Sequence, residues 1–186
     1  EMEAVFRSRL LGGFQILDIQ DFSGQGTALV GVLDAFMDSK GLITDSEWRE
    51  FCNDAVVMAR FDSYVLEAGS SFKAHTELCN YRPDLKDGKL ICTLTLENGV
   101  VIGKVEKNFV AEGNYTDICD VEFTLPQVTK NTKALLSLEI EGTDICNHYD
   151  LWVIPTVEKT DISGAYIFNE VNDEAENLLK QGKTVL

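Results

Sequence analysis

Three consecutive side chains, Gln20, Asp21 and Phe22, follow directly after an apolar run over residues 14–19. The apolar run predicts a buried strand, and polar groups at the carboxyl end of such a strand are typical of a (β/α)8 enzyme site. There the amide and carboxylate would line the rim of a sugar site, and the ring of Phe22 would be its apolar platform. The local pattern equally supports a second interpretation, in which Asp21 or Ser23 caps a following helix.

The glycine-spaced stretch GQGTALVG, residues 24–31, raises phosphate binding as an alternative. A P-loop requires a lysine directly after its last glycine, and this stretch has none. A dinucleotide-binding fingerprint requires its third glycine where Leu29 stands, because helix and strand approach closely there. Both motifs are incomplete, so we predict no nucleotide cofactor.

Five residues have types that could bind zinc. His75 and Cys79 share one face of a predicted strand, and Cys146, His148 and Asp150 share one face of another. Their spacing matches no recognised zinc motif, and the sequence contains no CxxC pair. The chain also lacks a GxSxG nucleophile elbow. We therefore predict free thiols in apolar surroundings, no metal and no other cofactor.

The charge of the chain limits its partners. Thirty-one acidic and 16 basic residues give a formal net charge of −15. Nucleic acids and anionic lipids are bound mainly through clusters of Lys and Arg, so we expect neither a nucleic-acid nor a membrane partner. A neutral ligand such as a sugar is compatible with this charge.

The elements that would position Gln20 and Asp21 form a strand and a helix. Four apolar residues after the glycine-rich turn have the spacing of one helix face. They are Leu29, Val32, Leu33 and Phe36. Gly41 has the place of a helix C-cap, and Thr44 with Glu47 matches a capping box that starts a second helix ending near Cys52. A strand followed by a helix is the unit of a parallel α/β sheet or barrel.

Between residues 55 and 155 the sequence alternates between apolar and polar positions. Three runs carry the pattern most clearly, and it predicts that one face of each is buried. The predicted inward residues are Leu90, Cys92, Leu94 and Leu96, then Val121, Phe123 and Leu125, then Leu136, Leu138 and Ile140. About seven short strands separated by turn signals predict an antiparallel Ig-like or fibronectin-like β-sandwich without the antibody-type disulfide.

The chain is thus predicted to be mainly β, with three parts. Residues 1–54 form a βα remnant of a (β/α)8 barrel, residues 55–155 the sandwich, and residues 156–186 a linker and the αβ start of another domain. In that last part, Asn172 or Asp173 is the expected N-cap, and Gly182 the expected C-cap. The opening EMEAVFRSRL is helical in character, and both ends look cut from larger domains.

Several of these stretches together resemble a known family. They are LGGFQILDIQDFSGQGTALVGVLDAFMDSKG, REFC, the sandwich ending in LWVIP, and LLKQGKTVL. The resemblance is to glycoside hydrolase family 2, in a β-galactosidase-like, divergent Bacteroides-type subgroup. It covers the end of the catalytic barrel and the following Ig-like domain. Ile16 and Asp18 stand where the commoner family members carry tryptophans, which leaves the sugar specificity open.

The resemblance implies that the parent protein is a retaining glycoside hydrolase acting on O-glycosidic bonds. Its acid/base and nucleophile carboxylates would come from earlier barrel strands, so no catalytic residue is assigned in this chain and the fragment alone is expected to be inactive. The fragment would space domains and contribute Gln20, Asp21 and Phe22 to the substrate site. A periplasmic or extracellular location is implied, and the sequence leaves a cytoplasmic one open.

A second function stays open beside this one, namely a non-catalytic carbohydrate-binding or structural β-sandwich module. Carbohydrate is the expected partner in either case. The apolar helix face described above would be left without its barrel, and we expect it to pack against the sandwich or to form a homo-oligomer.

Overall fold

The computed structural model describes residues 2–27, 29–156 and 164–186. The chain divides into two compact units, residues 1–156 and 157–186. The first unit contains two helices, α1 (Met2–Ser8) and α2 (Asp45–Phe51). Its eight strands are β1 (Ala55–Arg60), β2 (Val65–Glu67), β3 (Ser71–Asn80), β4 (Asp87–Leu96), β5 (Val101–Val110), β6 (Tyr115–Thr124), β7 (Thr132–Ile140) and β8 (Cys146–Ile154).

The strands form two sheets that pack face to face. One sheet has the order β1-β3-β6 and is antiparallel; the other has the order β2-β8-β7-β4-β5, in which only the short β2 pairs in parallel. The predicted mainly β, Ig-like sandwich is therefore confirmed. The core lies between the sheets, because alternate residues of each strand point inward.

The predicted inward residues are buried. Leu90, Cys92, Leu94 and Leu136 are all 0% exposed, and the other predicted inward positions are at most 9% exposed. The period-two pattern identified them because each strand has one face toward the core and one toward solvent or a covering element.

The second helix is also as predicted. Thr44 is the N-cap of α2, its side chain accepts the Glu47 N–H, and the Glu47 side chain accepts the Thr44 N–H. This reciprocal capping box satisfies two backbone donors at the start of the helix. The preceding loop thereby turns into α2 directly before the first sandwich strand.

The predicted strand over residues 14–19 and the predicted helix from Leu29 to Phe36 are wrong. Residues 9–27 and 29–43 contain no helix or extended strand. Their ladder contacts are two isolated bridges, Gln20 with Leu33 and Leu33 with Ser39. The helical face expected to mediate a homo-oligomer is consequently not formed.

Two physical reasons explain the difference. A parallel strand needs neighbouring strands for its backbone hydrogen bonds, and a single βα unit supplies none. The Asp34 carboxylate accepts the N–H groups of Phe36 and Asp38 at 2.8 and 2.9 Å. Such a local turn competes with a helix, and an isolated short helix is marginal in any case.

The second unit consists of β9 (Ala165–Tyr166), α3 (Asp173–Lys180) and β10 (Thr184–Val185). The two short strands pair in parallel, with the helix between them in sequence. Asn172 is the N-cap of α3 and accepts the Ala175 N–H, and Gly182 follows the helix with φ +73°. The predicted αβ character of this part is confirmed.

The domain boundaries at 54/55 and 155/156 stay predictions, and the predicted linker falls largely on residues 157–163, outside the described residues. Residues 2–54 belong to the same compact unit as the sandwich. None of the described helices has the length and apolar character needed to cross a membrane.

Candidate functional site

The three predicted substrate-binding residues lie on an irregular loop, and their side chains have different surroundings. Asp21 is only 7% exposed, and its carboxylate accepts the Gly31 N–H at 2.9 Å and the Lys40 ammonium at 2.9 and 3.1 Å. Gln20 and Phe22 are exposed. Asp21 is thus the internal anchor of the loop, with an exposed side chain on either side of it in sequence.

The alternative interpretation, that Asp21 or Ser23 caps a helix, is wrong, because the described residues up to Ile43 contain no helix after them. Gly31 instead allows the backbone at residue 31 to pass close to the backbone at Gln20. A Cβ atom on Gly31 would lie 2.3 Å from the carbonyl carbon of Gln20. At this crossing the Asp21 N–H donates to the Leu33 carbonyl at 3.0 Å. Only glycine allows two backbones to approach so closely.

The same loop region exposes an unusual amount of apolar surface. Twelve of the 24 exposed large apolar or aromatic side chains of the described residues lie between Leu10 and Leu42. Leu10, Leu17 and Phe36 are 92%, 83% and 85% exposed. Concentrated apolar exposure of this kind is typical of interaction surfaces.

Next to this region, side chains cover the open edge of β1. The Val57 carbonyl accepts the Asn147 side-chain amide at 2.9 Å, and the Ala59 N–H donates to the Tyr149 hydroxyl at 3.0 Å. The Ala59 carbonyl accepts the Arg7 guanidinium at 2.8 Å. An edge strand with free backbone groups is a site for unwanted pairing, so this covering both completes and protects the sandwich.

Helix α1 supplies two of the charged groups at this edge. The Glu3 carboxylate accepts the Tyr149 hydroxyl at 2.9 Å, the Asn147 amide at 3.0 Å and the Arg7 guanidinium at 3.0 Å. Burial, and the nearby negative charge of Glu3, raise the pKa of Tyr149. We call this group the α1 clasp; it comprises Glu3, Arg7, Ala59, Glu77, Asn147 and Tyr149.

Glu77 is the most buried charge of the clasp, with 2% exposure. Its carboxylate accepts the Arg7 Nε at 2.8 Å, and Arg60 lies 3.7 Å away. Burial opposes the charge of Arg7, but the hydrogen bond to Glu77 and the charge of Glu3 raise the pKa of its guanidinium. Burial and the proximity of Glu77 raise the pKa of Tyr115 to about 12. A buried carboxylate needs such partners, because desolvation without them is costly.

An apolar contact completes the attachment of α1. Phe6 packs against a small cluster on the outer face of the three-stranded sheet, formed by Val56, Met58 and Cys79. The ring of Phe6 also meets that of Phe14 edge-on, with 5.7 Å between centroids. The helix is therefore held by ion pairs on one side and by an aromatic contact on the other.

A histidine with two aspartates lies beside the clasp. The His75 ring contacts Asp120 through Nδ1 at 2.6 Å and Asp117 through Nε2 at 3.1 Å. A β-bulge between Thr76 and Glu77 places both aspartates on the same face. Partial burial opposes a positive charge on His75, but the two carboxylates outweigh it and raise its pKa.

Ligand atoms of His75, Glu77 and Asp117 lie within 4.8 Å of one another, which is close enough for a metal ion. However, Glu77 already binds Arg7, and Asp117 binds Arg9 at 2.9 Å. A cation here would compete with two guanidinium groups, so the arrangement has the chemistry of an ion-pair network.

The zinc ligands considered from the sequence are not brought together. Cys79 and His75 lie on β3 of the three-stranded sheet, whereas Cys146, His148 and Asp150 lie on β8 of the other sheet. Cys79 is buried under Phe6, while Cys146 is exposed. Burial alone raises the pKa of the Cys79 thiol.

The clasp therefore has the properties of a structural site. Among the described residues, every buried side-chain nitrogen and oxygen has a hydrogen-bond partner. A general acid or base must keep an atom free to exchange a proton with a substrate. Groups that are fully engaged with one another fix geometry instead.

Sequence reasoning missed the clasp, although signals for it exist. Glu3 and Arg7 have the i, i+4 spacing of a helix ion pair. Asn147 occupies an inward position in the alternating pattern of β8, where Tyr149 and Leu151 follow. Glu77 lies in the mostly buried half of β3. A polar residue at an inward position, such as Asn147, indicates a buried polar partner, whereas the period places Glu77 on the face of β3 opposite Phe72 and gives no such signal.

Comparison with known proteins adds the following. Residues 70–155 match a family model described as a domain of unknown function, DUF8488. This range covers β3 to β8. No curated protein matches the sequence.

Solved structures match part of this chain at low identity and low TM-score. The sporulation control protein Spo0M from Bacillus subtilis is 12% identical, with a TM-score of 0.39 over 57% of this chain and 51% of that chain. A Bifidobacterium dentium β-glucuronidase is 10% identical, with a TM-score of 0.33 over 55% and 18%. A β-galactosidase from Bacteroides fragilis, described as putative, is 12% identical, with a TM-score of 0.34 over 53% and 15%.

The chain thus spans about half the length of Spo0M and less than a fifth of each glycosidase. Distant structural neighbours of the sandwich include domains of glycoside hydrolases. These likenesses assign no activity to this chain.

Proposed function

We propose that this chain is a structural β-sandwich module that holds its N-terminal segment, residues 2–43, in place for a neighbouring domain. The observation that carries the proposal is the α1 clasp. It joins the N-terminal helix to three different sandwich strands, because Arg7 donates to the buried Glu77 and to the Ala59 carbonyl, and Glu3 accepts the Asn147 amide. Such a network adds little net stability compared with an apolar contact, but it fixes one arrangement.

The exposed apolar side chains between Leu10 and Leu42 support the second half of the proposal. A segment that is anchored at α1 and at α2, yet exposes twelve large apolar side chains between them, presents a surface to another domain. We propose that this domain covers the segment in the whole protein.

The finer proposal is that the covering domain is the catalytic barrel of a glycoside hydrolase of family 2, β-galactosidase-like in type. Its support is the resemblance of residues 11–41 to the end of that barrel. In this arrangement Gln20 and Phe22 contribute to the rim of the sugar site. Asp21 positions both residues, because its carboxylate is fixed by hydrogen bonds from the Gly31 N–H and the Lys40 ammonium. The module itself is a spacer without catalytic residues.

The direct test compares this chain with a longer protein that includes the residues preceding it in its gene. Amide hydrogen exchange of residues 10–42 is measured in both. We expect strong protection of this segment only in the longer protein, while the sandwich exchanges equally in both. Equal, fast exchange of residues 10–42 in both proteins would refute a covering domain.

The finer proposal has separate tests. The preceding sequence should contain about 250 residues with alternating strand and helix patterns. The longer protein should hydrolyse an aryl β-glycoside, and Phe22→Ala should raise KM more than it lowers kcat. An unrelated preceding sequence would refute the glycosidase assignment but leave the structural role intact.

One observation favours the second candidate function, carbohydrate binding by the sandwich. Tyr64 and Trp152 are 57% and 46% exposed, and they are neighbours through the hydrogen bond from the Trp152 N–H to the Tyr64 carbonyl at 2.8 Å. Exposed aromatic side chains offer an apolar surface for sugar rings. Glycan-array binding that Trp152→Ala abolishes and Tyr81→Ala preserves would support this function, and no binding would exclude it.

A further inference from the structure

The contact between α1 and the sandwich is asymmetric. No residue of α1 is buried. With α1 in place, the side chains that receive it are buried, with Glu77 at 2%, Asn147 at 5% and Tyr149 at 8% exposure. A shallow helix on a deep, polar recess is the geometry of a helix bound in a groove.

The receiving side chains also have hydrogen bonds that do not involve the helix. Asn147 and Tyr149 are bonded to the β1 backbone at Val57 and Ala59, independently of α1. Glu77 lies on β3, between the paired strands β1 and β6. The receiving groups are therefore held by the sheets, whereas a seven-residue helix is marginal by itself and depends on the recess.

The recess is specific for a pattern of side chains. Tyr149 and Asn147 donate hydrogen bonds to Glu3, the Val56–Met58–Cys79 cluster receives Phe6, and Glu77 accepts a hydrogen bond from Arg7. The pattern is Glu at position i, Phe at i+3 and Arg at i+4 of a helix. Just beyond it, Arg9 lies 4.0 Å above the Tyr115 ring and pairs with Asp117.

The connection from α1 to the rest of the unit is long and loosely bonded. Within the described residues, 12–18 make no hydrogen bond to other parts of the unit. The ten residues from 9 to 18 span about 33 Å when extended. Such a tether is long enough for α1 to reach a neighbouring molecule.

We propose that this recess is a receptor for a short helix with the Glu, Phe and Arg pattern, and that α1 of a second copy of the chain is its occupant in trans. The exchange replaces each cis contact by an identical one from the other copy, which is a low-cost route to a dimer. Each recess is then completed by Glu3, Phe6 and Arg7 of the other copy.

The first experiment uses a fluorescent peptide of residues 2–13 and the full chain with Phe6→Ala and Arg7→Ala, which weakens cis docking. We expect saturable binding to this double variant. Binding to the unaltered chain should be at least about ten-fold weaker, because cis α1 occupies most of its recesses. A peptide carrying Arg7→Ala, as the matched control, should also bind at least about ten-fold more weakly. Equal binding of both peptides would refute the proposal.

The second experiment needs no variant. Isotope-labelled and unlabelled copies are mixed in urea and refolded together, and isotope-filtered NOEs between copies are recorded. We expect intermolecular NOEs from the Phe6 ring to the methyl groups of Val56 and Met58, increasing with concentration. NOEs that remain purely intramolecular would overturn the exchange. Neither experiment involves a neighbouring domain, so their failure is distinct from a failure of the proposed function.

Discussion

Replacing Arg7 with alanine tests the α1 clasp most quantitatively. The change removes the hydrogen bond to Glu77 at 2.8 Å, the bond to Glu3 at 3.0 Å and the bond to the Ala59 carbonyl at 2.8 Å. Glu77, at 2% exposure, then keeps one guanidinium, that of Arg60 at 3.7 Å. The substitution thus leaves a buried carboxylate largely uncompensated.

The magnitude follows from this geometry. Breaking a fully buried ion pair by removing one partner costs about 3–5 kcal/mol. Because the Arg7 side chain is 23% exposed and Arg60 can move closer, we expect a loss of about 2–3 kcal/mol in the free energy of unfolding. Lys73→Ala is the matched control: it removes a pair with Glu122 whose side chains are 71% and 57% exposed, and should cost at most about 0.5 kcal/mol.

Urea denaturation followed by far-UV circular dichroism measures both variants. A double-mutant cycle with Glu77→Gln separates the energy of the lost Arg7–Glu77 contact from the cost of leaving the Glu77 carboxylate buried and unpaired. The double variant should be more stable than additivity predicts, by about 1–3 kcal/mol, because no unpaired buried charge remains. An Arg7→Ala variant as stable as Lys73→Ala, or an additive cycle, would refute the reasoning.

Three further predictions concern the rest of the unit. Because the pKa of His75 is raised, its pairing with the two aspartates stabilises the fold below the ordinary histidine pKa, and this stabilisation is lost as the pH rises through the raised value. His75→Gln should therefore destabilise the fold more at about pH 5.5 than at about pH 9. The difference, measured by urea titration, should be less than about 1 kcal/mol. An equal effect at both pH values would contradict this. Gly31→Ala should speed amide exchange at Leu33 without lowering the unfolding free energy of the sandwich, since the added Cβ displaces the loop backbone at Gln20 and Asp21. Unchanged exchange would show that the crossing is absent. Leu136→Ala, at a site with 0% exposure, should cost about 2–5 kcal/mol in the same denaturation assay, and a loss below about 1 kcal/mol would place it outside the core.

The sandwich was predictable from the sequence because its strands follow one rule. Each strand has one face in the core, so the alternation from Leu90 to Leu96 predicts both a β-strand and the face of it that is buried. The capping box at Thr44 was predictable for a similar reason, since its two hydrogen bonds depend only on residues three positions apart. Local patterns of this kind need no knowledge of the rest of the molecule.

The N-terminal segment was not predictable in the same way. The spacing of Leu29, Val32, Leu33 and Phe36 fits a helix, but a helix also needs a surface on which to bury that face. Without one, the Asp34 turn and the close approach at Gly31 determine the backbone. The clasp was missed because it joins Glu3 to Asn147 across 144 positions of sequence.

Amide hydrogen exchange in the last turn of α1, at residues 6–8, tests the central claim most directly. A free helix of this length would not protect its amides, so protection there requires docking on the sandwich. We predict clear protection in the unaltered chain and in Lys73→Ala, and its loss in Arg7→Ala. Exchange of these amides in the unaltered chain at the rate of an unstructured peptide would contradict the account.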